Sequence, residues 1–188
     1  MQASVYPDDL KIENALQMYF QKYHFADGGY HDKYFRIKIG PVFIPFPNTK
    51  SRIKAVKFHD IHHLLSEYSA RWKGEVEIGA WEIASGCGNL LIAWFLNFGS
   101  FGLGMFLYPK AVFNAFMMGR HVKSNLYHNY IYDDFLLKRN LGELRKELGI
   151  GEVRKNNLMD YLYFTGCLLL VITGLTLIIF LFYFVICK

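Results

Sequence analysis

The chain has 188 residues, enough for one domain with a real core. It is 53% hydrophobic and 18% aromatic, high for a soluble domain, and carries a formal net charge of +5 at pH 7. The basic residues are scattered, with no nucleic-acid motif and no basic groove interleaved with aromatics, so the excess points to a membrane surface or anionic lipid and away from nucleic acid.

The N-terminal MQASVYPDDLKIEN is acidic and has no apolar run, so it reads neither as a signal peptide nor as a transit peptide. Residues 9–24 predict a first helix: Leu10, Ile12, Leu16, Tyr19, Phe20 and Tyr23 recur at helical spacing, with Asp8 or Asp9 placed to cap it. Ala26-Asp27-Gly28-Gly29 breaks the chain. Phe35, Ile37 and Ile39 then alternate with Arg36 and Lys38, Gly40-Pro41 follows, and a second apolar run ends at Phe46-Pro47-Asn48; this reads as a short hairpin or extended loop. Helices are expected over 55–68 and 72–84, with the turn supplied by Tyr68 to Gly74.

Two stretches lack charge, 83–109 and 161–187, and each exceeds the roughly 20 residues a bilayer crossing needs. The first carries Gly86, Gly88, Gly99, Gly102 and Gly104 with Asn89 and Asn97, which suits a buried pair of helices lining an apolar pocket better than a segment dipping into lipid. Residues 110–150 predict further helix, broken near Asp133-Asp134, with an amphipathic helix from Lys138 to Leu148 that Gly149 stops. The second uncharged stretch is almost pure Leu, Ile, Val and Phe and predicts a transmembrane tail anchor. Arg145, Lys146, Arg154 and Lys155 precede it and Lys188 follows it, so the positive-inside rule puts residues 1–158 on the cytoplasmic side, or the matrix side in a mitochondrion. Cys87, Cys167 and Cys187 form no C-x-x-C pair, which speaks against a disulfide framework and a cysteine zinc site. The expected fold is all-α in the main: a helical bundle around an apolar pocket over 1–158, a short N-terminal hairpin, and a single transmembrane helix over 159–188.

The chemistry concentrates between residues 57 and 82. His59, His62 and His63 spell H-x-x-H-H, a box of membrane di-iron oxygenases; His59, Asp60 and His63 spell H-D-x-x-H. On a helix, Phe58, Ile61, Leu64 and Leu65 gather on the core side, while His59 and His63 sit about 40° apart and nearly opposite it. Two histidines at this spacing can chelate one ion; the plain alternative is a solvated polar face. Asp60 is placed to reach the ion or to orient His63, and His62 falls toward the apolar side as an orienting or surface residue. On the next helix Glu75 and Glu82 share a face with Gly79 between them, so an antiparallel partner would aim Glu75 at the histidine pair. Two imidazoles and a carboxylate leave coordination positions for water or substrate. A two-metal site would need more histidines, and His24, His31, His121 and His128 form no further box. His121 and His128 are expected on one helical face with Asn125 between them, and Arg120 and Lys123 nearby could pair with an anionic substrate group.

His59-Asp60-x-x-His63 followed by Glu75 resembles the metal motif of the coenzyme Q (ubiquinone) biosynthesis protein 4 family. Gly74-Glu75-Val76, Trp81-Glu82, Gly119-Arg120, Asn125-Leu126-Tyr127 and Leu144-Arg145-Lys146-Glu147-Leu148-Gly149-Ile150 resemble that family's later segments in the same order. The resemblance covers roughly residues 50–150. It implies a mostly helical, membrane-associated protein with His59, Asp60, His63 and Glu75 as ligands of a divalent metal, most often taken as zinc. It also implies loss of the ring carboxylate from a polyprenylated hydroxybenzoate, and a part in organising a multiprotein quinone-biosynthesis complex. The chain departs from the family in a shorter N-terminal region, in Ile53 to Phe58 where an arginine-rich run is expected, in His62, and in its apolar tail.

Three functions are therefore carried forward. In the first, a metal-dependent carboxy-lyase, the ion binds the substrate's carboxylate and phenolic oxygen, Glu82 handles the proton, Arg120 and Lys123 take the anionic group, and the prenyl tail lies among Leu90, Trp94, Phe95, Phe101, Phe106 and Phe113. In the second, a non-catalytic scaffold binds membrane lipid or quinone intermediates, and helical faces from 120 to 148 carry partner contacts. The third is a membrane di-iron oxygenase built on H-x-x-H-H. A homo-oligomer is compatible with each.

Overall fold

The computed structural model describes residues 5–26, 28–39 and 42–186. Among them are eight helices and one two-stranded sheet: α1 Ile12–Tyr23, β1 Tyr34–Ile39, β2 Val42–Pro47, α2 Lys50–Ser66, α3 Trp72–Ser85, α4 Leu91–Leu107, α5 Pro109–His121, α6 Asp134–Leu137, α7 Leu141–Leu148 and α8 Leu158–Ile186. The chain is mainly helical, as its periodicities predict. β1 and β2 pair antiparallel, with Phe35 opposite Phe46, so the hairpin forms; its Gly40-Pro41 turn lies outside the described residues.

Residues 8–11 do not open the first helix. They form a turn, closed by the Leu10 amide on the Pro7 carbonyl, that lies beside α7, where the Leu141 and Gly142 amides donate to the carbonyls of Leu10 and Asp8. The Asp8 carboxylate pairs with Arg145, 2.6 Å away, and not with the helix end it was expected to cap. α2 starts earlier than its apolar pattern, because the Thr49 hydroxyl accepts from the Arg52 amide and supplies an N-cap. At its other end the Arg145 guanidinium donates to the carbonyls of Leu64 and Leu65, which a helix terminus otherwise leaves without partners. The predicted helix across 121–133 is a loop: α5 ends at His121, so His121 and His128 share no helical face.

α3 is the hub. Its residues 78–84 are all buried, and α4 and α5 lie against it. Small residues set those distances. A Cβ on Gly119 of α5 would stand 2.4 Å from the Trp81 carbonyl oxygen, and one on Gly79 of α3 would stand 2.0 Å from the Ser100 hydroxyl of α4. One apolar cluster joins α1, α2, α7 and the loop after α5, with Tyr19, Phe58, Ile61, Leu126 and Leu144 at its centre. A second joins α3, α4, α5 and the first turns of α8 through Val76, Ile83, Phe101, Phe116 and Cys167.

α8 is long and apolar enough over Leu158–Leu181 to cross a membrane. Its start is tied to the domain by Asp160, which is fully buried and takes hydrogen bonds from Arg154 and Arg120. α4 departs from expectation. Its inner face is buried, but Leu91, Phe95 and Phe106 are 81%, 73% and 85% exposed, so residues 83–109 do not form a fully buried helix pair.

Gly119→Ala should destabilise the chain by about 1–3 kcal/mol, because the α3 backbone cannot yield as a flexible side chain could. Gly99→Ala, which meets nothing within 4 Å, should leave the melting temperature unchanged or raise it slightly. Thermal unfolding of the detergent-solubilised variants measures both.

Candidate metal centre

α2 and α3 run antiparallel through the short connection after Ser66, which sets His63 opposite Glu75 and His59 opposite Glu82. The Nε2 atoms of His59 and His63 stand 3.2 Å apart. Glu75 turns one carboxylate oxygen to each ring: Oε2 lies 3.4 Å from His59 Nε2 and Oε1 lies 3.4 Å from His63 Nε2. This triad could hold a metal ion. Ligands held about 2.0–2.1 Å from a tetrahedral ion lie about 3.3 Å from one another, a spacing the two imidazole nitrogens already have, with a Glu75 oxygen close to each.

The hydrogen bonds behind the triad decide its protonation. His63 Nδ1 lies 2.9 Å from the Tyr68 carbonyl oxygen, which can only accept, so Nδ1 carries the hydrogen. His59 Nδ1 lies 3.0 Å from a Glu82 oxygen and carries its hydrogen for the same reason. Each ring then turns its Nε2 toward the other and toward Glu75. Three electron-rich atoms in contact repel unless a cation or a proton sits among them.

Glu82 is fully buried, and its oxygens take four hydrogen bonds: His59 and His62 on one, Asn97 at 2.6 Å and Tyr127 at 2.9 Å on the other. The Leu126 amide donates to His62 Nε2, so His62 must donate through Nδ1 to Glu82. Burial works against charge on Glu82, but the His59 charge and the bonds from His59 and His62 outweigh it and hold the carboxyl well below the usual range. Burial likewise opposes charge on Glu75, and its bonds to His59 and His63 hold it low. Burial lowers His59, yet Glu82 and Glu75 together raise it well above its ordinary value of 6.5. Burial keeps His62 below 6.5 and therefore neutral.

The expected site residues divide sharply. His59, His63 and Glu75 converge. Asp60 is not among the converging atoms; it accepts from the Tyr30 hydroxyl at 2.5 Å, and burial pushes its carboxyl up to about 6. The Tyr68 carbonyl, not Asp60, orients His63. His62 is buried against Glu82 and points no nitrogen at the triad, while His121 bonds Asn156 and His128 bonds the Gly86 carbonyl. No second histidine cluster forms among the described residues, which removes the geometric basis of the di-iron reading. Glu82 has both oxygens engaged and no exposure, so it is built to hold His59 and not to pass a proton to a substrate.

Arg120 bonds Asp160 and the Ala84 carbonyl, at the end of α3 remote from Glu75 by about 14 Å of helix. Lys123 pairs with exposed Glu152. Neither reaches the triad. Trp94 donates to the Gly88 carbonyl and stacks on Phe98, Phe101 is core, and Phe95 and Phe106 point outward, so the expected prenyl channel is not a closed one.

Beside the triad lies a cavity of about 250 Å³, walled by Tyr19, Arg52, His59, Asp60, Glu75, Asn97, Ser100 and Tyr127. Arg52 sits over the Phe35 ring and donates to Asn48, and its Nε is buried without a partner. Tyr30, Arg52, Asn97 and Tyr127 carry no spacing signal relative to the histidines. Asn97 alone could have been found, as an amide facing inward from an otherwise apolar helix.

Glu82→Gln should lower metal affinity about 10–100-fold, because an amide lacks the charge that holds the His59 ring and its NH2 cannot accept from Asn97 and Tyr127. Metal must displace a proton from His59, so affinity in the native chain should climb as pH rises above His59's ordinary value, and in Glu82→Gln the climb should shift to lower pH. Competition with a chromogenic chelator across that range measures both effects. No family model, curated protein or solved structure matches the chain, and the chemistry of the centre rests on its own geometry.

Proposed function

We propose that the chain is a membrane-associated, metal-dependent enzyme whose His59–His63–Glu75 centre, zinc-loaded, removes the carboxylate of an amphipathic aromatic acid. The observation that carries this is the triad itself: two imidazole Nε2 atoms 3.2 Å apart with a Glu75 oxygen 3.4 Å from each, beside a cavity. Only three protein ligands converge among the described residues, which favours a centre with positions open to substrate over a closed structural one. That the lost group is a ring carboxylate, and the acid a polyprenylated hydroxybenzoate, follows from the family resemblance of residues 50–150.

A bound divalent ion would act as a Lewis acid toward the carboxylate and phenolic oxygens. The chain's own residues do the rest. Glu82, fixed by Asn97 and Tyr127, holds the His59 ring with Nε2 toward the centre. Arg52 replaces Arg120 and Lys123 as the partner for the substrate's anionic group, since it lines the cavity and has a free buried donor. Asp60 replaces Glu82 as the proton carrier: it lines the same cavity and its carboxyl sits at about 6, near working pH. The proton takes the ring position that carbon dioxide leaves. A cavity of about 250 Å³ admits one substituted ring and not a long prenyl chain, so the tail must lie outside it. By the positive-inside rule the domain faces the cytoplasm or matrix.

Elemental mass spectrometry of the native chain should find one ion per chain, lost in His63→Ala and in Glu75→Ala. Prenylated hydroxybenzoate should release carbon dioxide with the native chain only. Arg52→Leu should keep the metal and raise KM by at least about tenfold. Metal absent from every sample, or retained in both ligand variants, would sink the assignment.

A further inference from the structure

We infer that the outer face of α4 lies within the lipid bilayer that α8 enters, so that the cavity beside the metal centre stands at the membrane with one helix between them. The inference does not depend on which ion or reaction the centre serves.

Every exposed residue of α4 is Leu, Phe or Gly: Leu91, Phe95, Gly99, Leu103, Phe106 and Leu107. Their spacing places them along one stripe, and the helix carries no charge from end to end. A contiguous apolar strip of this length is rare on a surface facing water. Its neighbour says what covers it. α8 packs directly on α4: the Phe164 ring meets Phe101 at 5.8 Å between centroids, and Val171 lies against Gly102, where an added Cβ would stand 2.9 Å away. Phe164 and Val171 both fall inside the segment that can cross a membrane. That segment is itself exposed on its other side, with Leu162, Leu169 and Leu170 more than half accessible. The two apolar faces therefore adjoin, and lipid that solvates the first turns of α8 must also meet α4.

The opposite face of α4 closes the cavity. Ala93, Leu96, Asn97 and Ser100 line it, facing His59 and Glu75. A helix about 10 Å thick thus separates lipid from the centre. A cavity of about 250 Å³ leaves the tail of any long-chain ligand outside it, and the bilayer then lies one helix away.

The test uses the full chain with Cys187→Ser, in vesicles of phosphatidylcholine and phosphatidylglycerol, with a nitroxide on Phe95→Cys, Phe106→Cys or Phe135→Cys. Phe135 is 78% exposed on α6 and serves as the reference. All three positions are exposed, so the fold should tolerate the labels, and a melting curve confirms it. Labels at 95 and 106 should collide several-fold more with oxygen, and several-fold less with a water-soluble nickel chelate, than the label at 135. Nickel accessibility at 95 and 106 equal to that at 135 would overturn the inference, because the face would then lie in water. Spin–spin broadening at 95 and 106 that fades on dilution with unlabelled chain would overturn it too, because a second copy would then be the cover.

Discussion

A single buried carboxylate organises this structure. Glu82 has no access to solvent, and taking a carboxylate out of water costs several kcal/mol unless its lone pairs are satisfied. Its partners come from three other parts of the chain: His59 and His62 from α2, Asn97 from α4, and Tyr127 from the loop after α5. Removing any one leaves a buried charge under-paired, at a cost of up to about 3–5 kcal/mol. The four segments are therefore held in one register by one group, and α3 is the hub for electrostatic as well as packing reasons.

The same group fixes what the histidines can do. Because Glu82 demands hydrogens, His59 and His62 must both present Nδ1–H to it, and the Leu126 amide independently requires that tautomer of His62. His62 is thus spent on structure. His59 keeps Nε2, which faces His63, whose own Nδ1–H is committed to the Tyr68 carbonyl. That carbonyl is available because α2 ends at Ser66, where Glu67 takes a left-handed conformation and turns the chain. Arg145 closes the same helix end from α7, so a residue remote in sequence supports the position of His63.

Much of the fold could be read in advance, because periodicity reports burial directly. The helices carrying His59, His63 and Glu75, the hairpin and the apolar tail all announce themselves. The triad was legible as well: an i, i+4 pair and one carboxylate on an antiparallel neighbour need only helical geometry. What stayed hidden depends on contacts between segments. Asp60 has the spacing of a ligand, yet Tyr30, from a loop with no pattern, draws its carboxylate aside. Arg120 and Lys123 have the charge for an anion, but Asp160 and Glu152 take them. The cation that does line the cavity, Arg52, belongs to the first turn of α2, outside the periodic stretch. The face of α2 opposite its apolar stripe reads as solvated, and it is buried because α1 and α3 both cover it; the Tyr19 ring stacks on His63 at 5.5 Å.

α4 resolves a conflict that composition alone leaves standing. Its glycines suggest close packing and its leucines and phenylalanines suggest lipid; one face packs closely and the other is an exposed apolar stripe. Gly104 admits Val76 and Val112, and Gly102 admits Val171 of α8, so the helix approaches α3, α5 and α8 closely on one side. The other side is left apolar and bare. Asn97 is the exception that links the two roles, an amide facing inward from an uncharged helix to donate to Glu82. A helix tethered to Glu82 from inside can shift little without disturbing His59. The outer face of α4 and the geometry of the triad are then linked through one hydrogen bond of 2.6 Å.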